Sequence, residues 1–292
     1  WVGLVETLGY FKPLYEMAAY EALWRRANSF EEIANLFRRY PNTNPWDLLG
    51  EEEIEHMRKF LNKEFRLKGV TGVRVRVKGF LGYPEGDLRV MRHPPQVLYF
   101  KGEWGLIETP KRISIIGSRR ASWEGIDRAR DLARFLVSNG FTIVSGLARG
   151  IDTAAHKAAI DSFGNTVAII GTPITECYPS ENKALQNEIA KDHLLISQVP
   201  IWKYKANDYT FNRRFFPARN ITMAALTQAT VIVEAGEKSG TLIQGSAAIE
   251  QGRKLFILDR CFKDPKTSWP DNFVKKGAIR VKQFVDILHH LR

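Results

Sequence analysis

A chain of 292 residues with 44% hydrophobic and 26% charged side chains can bury one large core and a smaller second unit. Its 22 glycines and 13 prolines are near average usage, which excludes collagen-like and low-complexity classes. Two cysteines, Cys177 and Cys261, cannot build a disulfide framework or a four-ligand zinc site. The net charge is +11 and unevenly spread: residues 1–60 hold 7 basic and 10 acidic side chains, the remainder 36 and 22. That asymmetry points to a polyanion, nucleic acid or phosphate, as partner of the second part. No apolar stretch approaches the ~20 residues of a membrane helix. The first residues are aromatic and acidic where a secretory leader would be basic and then apolar. A cytoplasmic protein with reduced thiols and no membrane partner is therefore expected.

In chain order, residues 1–68 read as a small helical domain. Ser29 and Glu32 have capping-box spacing, and Phe30, Ile33, Ala34 and Phe37 follow a helical period. The run from Pro41 to Pro45 breaks the chain, and 46–65 predicts one or two further helices. The period then changes. Val73, Val75 and Val77 alternate with Arg74, Arg76 and Lys78, as in a half-exposed strand, and 97–100 is another short strand. From residue 112 onward the pattern is strand then helix, repeated. Strands are expected at 112–116, 141–144, 166–170, 193–197, 230–234 and 255–258. Helices are expected at 123–138, at 153–162 with Asp152 as N-cap, and near 242–251. This predicts an α/β fold, an extended Rossmann-like parallel sheet with helices on both faces, spanning 69–292.

Ligands bind such sheets at the carboxyl ends of the strands. The loops there put glycine at a strand end with a helix soon after: Gly117-Ser118-Arg119-Arg120, Ser145-Gly146-Leu147-Ala148-Arg149-Gly150-Ile151-Asp152, and Ser239-Gly240-Thr241. Backbone N–H groups can then face an anion, and a helix dipole favours phosphate. No Gly-x-Gly-x-x-Gly follows a strand and no Walker lysine is present, so neither a dinucleotide site nor a Walker-type NTPase is expected. In Phe211-Asn212-Arg213-Arg214-Phe215-Phe216-Pro217-Ala218-Arg219-Asn220, three arginines interleave with three phenylalanines. Arginine binds phosphate and an aromatic face can stack on an unpaired base, while core packing is the competing role for the phenylalanines. No catalytic residue, cofactor or metal-ligand set is expected; His156, four residues after Asp152, reads as a satisfied helix histidine.

Together these motifs resemble the DprA/Smf family of DNA-processing proteins over roughly residues 80–285. The resemblance is carried by Tyr83-Pro84, Ile116-Gly117-Ser118-Arg119, Ser145 to Asp152, Tyr178-Pro179-x-x-Asn182, Phe216-Pro217-x-Arg219-Asn220, Ser239-Gly240-Thr241-Leu242-Ile243 and Gln251-Gly252-Arg253, in family order. It implies a Rossmann-like domain that binds single-stranded DNA, protects incoming DNA in natural transformation and helps load the RecA recombinase. It also implies a homodimer without enzymatic activity. By matching position, Arg119 would meet backbone phosphate, Arg213 would be a basic contact, and Phe216 would meet a base. Arg219, Asn220, Ser239, Gly240 and Thr241 would shape the pocket, with Gly117, Ser118, Arg120, Gly146, Arg149, Gly150 and Arg214 completing it. The chain departs from the family pattern at Ile221, where an arginine is usual and the Arg213-Arg214 pair is expected to compensate. It departs again at Gln198, where a glutamate is usual. The alternatives are a LOG-like nucleoside-monophosphate phosphoribohydrolase and a nucleotide sensor. The first would want a carboxylate where the chain has Gln244.

Overall fold

Nine strands make one mixed sheet: β1 (Arg74–Val77), β2 (Val97–Gly102), β3 (Arg112–Gly117), β4 (Thr142–Ser145), β5 (Thr166–Ile170), β6 (Leu194–Ser197), β7 (Ala229–Glu234), β8 (Lys254–Leu258) and β9 (Ile279–Val281). Their order across the sheet is β1-β2-β6-β5-β4-β3-β7-β8-β9. The computed structural model describes residues 13–41, 43–263 and 267–291. Residues 1–12 of the expected helical domain and Asn42 of the expected break lie outside them.

The seven strands from β6 to β9 run parallel, while β1 and β2 add an antiparallel edge. The sequence explains the split. The central strands are continuous apolar runs, as strands covered on both faces must be, and β3, β4 and β5 are buried along their whole length. β1 keeps the alternation of a strand with one wet face, Val75 and Val77 being buried and Arg74 exposed. Along β3 the period of two sends Ile113 and Ile115 into the core under the helices Trp123–Ser138 and Ile151–Asp161, and Ile116 into the core of the opposite face.

Helices Pro13–Leu23, Phe30–Arg39 and Glu51–Lys68 precede the sheet. Ser29 Oγ accepts from Glu32 N at 3.1 Å, the N-cap half of the expected capping box, while Glu32 Oε2 accepts from Asn28 N at 3.0 Å, one residue before the N-cap, so the box is not closed on Ser29 N. Their apolar faces merge with Val75, Tyr99, Ala168 and Phe215 into one core cluster.

After β6 the chain crosses over through the short helices Ile201–Lys205 and Tyr209–Asn212 and the longer Phe215–Ala225, then enters β7 beside β3. The strand order therefore reverses between β3 and β7, which opens a crevice at their carboxyl ends. Pro217 occupies the first turn of Phe215–Ala225, where a missing N–H costs nothing. One local expectation changes: Asp152 is not an N-cap. It lies inside the helix Ile151–Asp161, and its Oδ2 accepts from Gly146 N at 3.1 Å and Ala148 N at 3.4 Å.

Candidate nucleic-acid interface

The crevice is a cleft of about 710 Å³, continuous in its lining with a side lobe of about 280 Å³ through Arg119, Arg120, Phe216 and Arg219. The loop after β3 supplies Gly117, Ser118, Arg119 and Arg120. Ser118 N donates to Glu234 O at 2.7 Å, and Arg120 N donates to Ser118 Oγ at 3.0 Å. These bonds use up the inner side of the loop and leave both arginine side chains exposed. Opposite, Thr241 Oγ1 donates to Gly117 O at 3.2 Å and accepts from Ser239 Oγ at 2.9 Å. The Ser239-Gly240-Thr241 turn is thereby sewn to the end of β3.

The loop after β4 is held from below. Leu147 is fully buried in a left-handed conformation, φ 58°. Asn182 Nδ2 donates to Leu147 O at 2.9 Å and to Thr153 Oγ1 at 2.8 Å, which offsets that backbone cost. This gives the Tyr178-Pro179-x-x-Asn182 motif a physical role.

Arg219 is part of the floor. It is 4% exposed; its Nη1 donates to Gly146 O at 2.7 Å and also to Ile169 O. Its Nε donates to Asn220 Oδ1 at 2.9 Å, and Asn220 Nδ2 donates to Gly240 O at 3.1 Å. Gly146 is needed here because a Cβ would stand 2.6 Å from the guanidinium. Gly171 plays the same part for Phe216, whose ring would be 2.5 Å from a Cβ. Burial pushes Arg219 down to about 10, opposed by Asp152, and burial pushes Asp152 up to about 6, opposed by Arg219. This is a buried, mutually supporting pair rather than a free cation.

The adjacent phenylalanines divide. Phe215 is buried against Trp24, Phe30, Tyr204 and Phe211. Phe216 is half-buried in the cleft, its ring 5.6 Å from that of Tyr178, with the Arg119 guanidinium 5.5 Å from its centroid. Arg213 lines the cleft beside Tyr209, at 6.0 Å from that ring. Arg149 reaches only the side lobe and is ion-paired with Glu181. Arg214 lies over Phe211 at 4.9 Å and, like Gly150, lines neither lobe. Lys238, Tyr178 and Tyr209 also line the cleft. Lys238 immediately precedes the Ser239-Gly240-Thr241 turn already singled out, whereas nothing local marks Tyr209.

Gln244 sits at the bottom, 1% exposed, its Nε2 donating to Ser114 Oγ at 3.0 Å. His156 Nδ1 pairs with Thr166 Oγ1 at 2.7 Å, and burial pushes the ring down to about 3. Among the described residues no group of His, Cys, Asp and Glu could hold a metal ion, and no helix is long and apolar enough to cross a membrane.

The family model for DNA recombination-mediator protein A matches residues 78–292. The chain belongs to this family. It is 36% identical over 202 residues to DNA processing protein DprA of Streptococcus pneumoniae, covering 69% of each chain. It is 31% identical over 227 residues to the DprA of Bacillus subtilis, covering 78% of this chain and 73% of that one. The X-ray structure of Streptococcus pneumoniae DprA superposes with a TM-score of 0.68 at 29% identity, over 94% of this chain and 92% of the other. The structure of DNA processing protein A from Helicobacter pylori, described for its single-stranded DNA binding mode, gives 0.63 at 27% identity, over 75% and 95%. As a DprA-family member the chain is a DNA-processing protein with the family's Rossmann-like fold. The two departures from the DprA pattern, Gln198 and Ile221, line not the cleft but a neighbouring groove that meets it at Ile243.

Proposed function

We propose that the cleft holds single-stranded DNA and that the protein binds its substrate without chemically altering it. The observation that carries this reading is the Arg119–Phe216 pair. A solvent-facing guanidinium, in no ion pair among the described residues, lies over an accessible ring at the topological switch point. Arginine supplies the phosphate contact and the aromatic face supplies sequence-tolerant stacking, a combination suited to an unpaired strand. Arg213 and Lys238 extend the basic lining. The Helicobacter pylori relative, described as a single-strand binder, supports the same assignment. The neutral Gln244, bonded beneath the cleft where a phosphoribohydrolase would want a carboxylate, favours binding over hydrolysis.

Family resemblance supports the rest of the reading: a cytoplasmic homodimer that hands DNA to a RecA recombinase. It also supports a helical domain at 1–68 followed by the Rossmann-like domain at 69–292. The test is a titration with single- and double-stranded oligonucleotides at matched salt. Single strands should bind at least ~10-fold tighter, about 1.4 kcal/mol; equal affinities would refute the reading. Release of adenine from AMP that disappears with Arg119→Ala would favour the hydrolase instead.

A further inference from the structure

Among the described residues the helical layer that precedes the sheet lines neither lobe of the cleft, yet it is tied to the part of the cleft that the crossover builds. Arg119, Gly146 and Thr241 stand on loops anchored in β3, β4 and β7. Arg213 and Phe216 stand on the crossover, whose first two helices have 5 and 4 residues. Helices that short do not hold themselves.

Their support comes from the N-terminal helices. Glu21 is fully buried in the apolar helix Pro13–Leu23. Its Oε1 accepts from Tyr99 Oη at 2.6 Å and Ile201 N at 2.7 Å, and its Oε2 from Trp202 N at 2.8 Å. One carboxylate thereby joins three elements: its own helix, β2, and the first turn of Ile201–Lys205, whose N–H groups have no partner within that helix. Lys203 Nζ donates to Asn28 Oδ1 at 2.8 Å, and Lys205 is ion-paired with Glu64. Phe215, adjacent to Phe216, is clasped edge-on by Trp24 at 6.2 Å and Phe30 at 6.1 Å. Burying a carboxylate without a cation is costly, and here three donors offset the cost.

We infer that the N-terminal helical layer is the positioning element of the cleft. Through Glu21 and the Trp24–Phe30–Phe215 cluster it sets where the crossover presents Arg213 and Phe216 to a bound strand. This rests on the proposed single-strand reading for its consequence in binding, but not for its structural content, so the two are tested separately.

Hydrogen exchange on the DNA-free protein tests the structural content. In Glu21→Ala, amides of 201–214 should exchange at least ~10-fold faster while those of β3, β4 and β7 keep their protection. Unchanged exchange in 201–214, or faster exchange spread evenly over the sheet, overturns the inference whatever the protein binds. Oligonucleotide titration tests the consequence. Glu21→Ala should weaken single-strand binding at least ~10-fold and flatten the slope of log affinity against log salt by about 0.7, one lost phosphate contact. Added to Arg213→Ala plus Phe216→Ala it should cost less than about twofold, whereas added to Arg119→Ala, which leaves both crossover side chains in place, it should cost clearly more. Equal cost in both backgrounds would make Glu21 a general stability residue and sink the proposal. If Glu21→Ala does not fold, Asn28→Ala plus Glu64→Gln cuts two ties at the rim of the layer. The same faster exchange in 201–214 is then required, and its absence is decisive against the inference. A wild-type protein that ignores oligonucleotides, with the exchange result as expected, removes the DNA reading and leaves the positioning role standing.

Discussion

The two walls of the cleft use the same chemistry and are built by different physics. On the sheet wall, Arg119 and Thr241 project from loops whose backbones are bonded to one another across β3 and β7. On the crossover wall, Arg213 follows the short helix Tyr209–Asn212 and Phe216 opens the helix Phe215–Ala225, both on a crossover held by side chains of a distant segment. The first wall is fixed because each loop leaves a buried parallel strand and runs directly into a long helix packed on the sheet. The second depends on residues some 180 positions away in the chain. Function at the first wall should therefore respond only to local change, and at the second to change far outside the cleft.

The largest expected effect comes from removing one cation from each wall. Arg119→Ala plus Arg213→Ala should cost about 4 kcal/mol, roughly a thousandfold in single-strand affinity. The salt slope should flatten by about 1.4. A variant that melts normally and binds with unchanged slope would place the DNA on another basic surface, the Arg74–Val77 strand first.

Each wall also rests on one buried carboxylate whose pKa burial raises: Glu21 to about 7 and Asp152 to about 6. In the unfolded chain both titrate near 4, so the folded state holds their protons to higher pH. Their contribution to stability is greatest below the unfolded value and is lost as pH rises through 6 to 7. For Glu21 the loss is on the order of 3 kcal/mol. Urea denaturation at pH 5, 6, 7 and 8 should show this decline, and Glu21→Gln should remove the Glu21 part while the Asp152 part remains. A pH-independent difference between the two proteins would contradict the assignment.

Gly146→Ala attacks the floor of the sheet wall. Its Cβ would displace the Arg219 guanidinium from Gly146 O, which should cost about 2 kcal/mol of stability, read as a lower denaturation midpoint. Gly240→Ala is the matched control, since nothing lies within 4 Å of a Cβ there. Equal effects of the two would mean that Arg219 is not held by this contact.

The smallest effect is expected at Arg149. It is exposed and already paired with Glu181, so Arg149→Ala should leave the denaturation midpoint essentially unchanged. It should also change single-strand affinity by less than about threefold. A tenfold loss of binding would extend the interface into the side lobe.

The strand–helix alternation from residue 112 and the glycine-rich loops could be read from residues alone, because apolar runs and glycine at strand ends are local signals. So could the N-cap at Ser29 and the alternation of β1. The order of motifs was enough to assign the family. Strand order was not available in this way, since nothing local says that β7 pairs with β3 across more than a hundred intervening residues. Nor was the division between Phe215 and Phe216: both have the same side chain, and only the direction each takes from the helix decides which is core and which is cleft. The three arginine types were equally indistinct in sequence. Arg219 became floor because Gly146, 73 residues earlier, leaves room for it. Arg149 was neutralised by Glu181, while Arg119 stayed open to solvent. Composition and pattern determined that a basic, glycine-lined ligand end exists. Which cations remain free to meet a phosphate was decided by packing between distant segments, because a charge is spent or available only according to what the fold sets beside it.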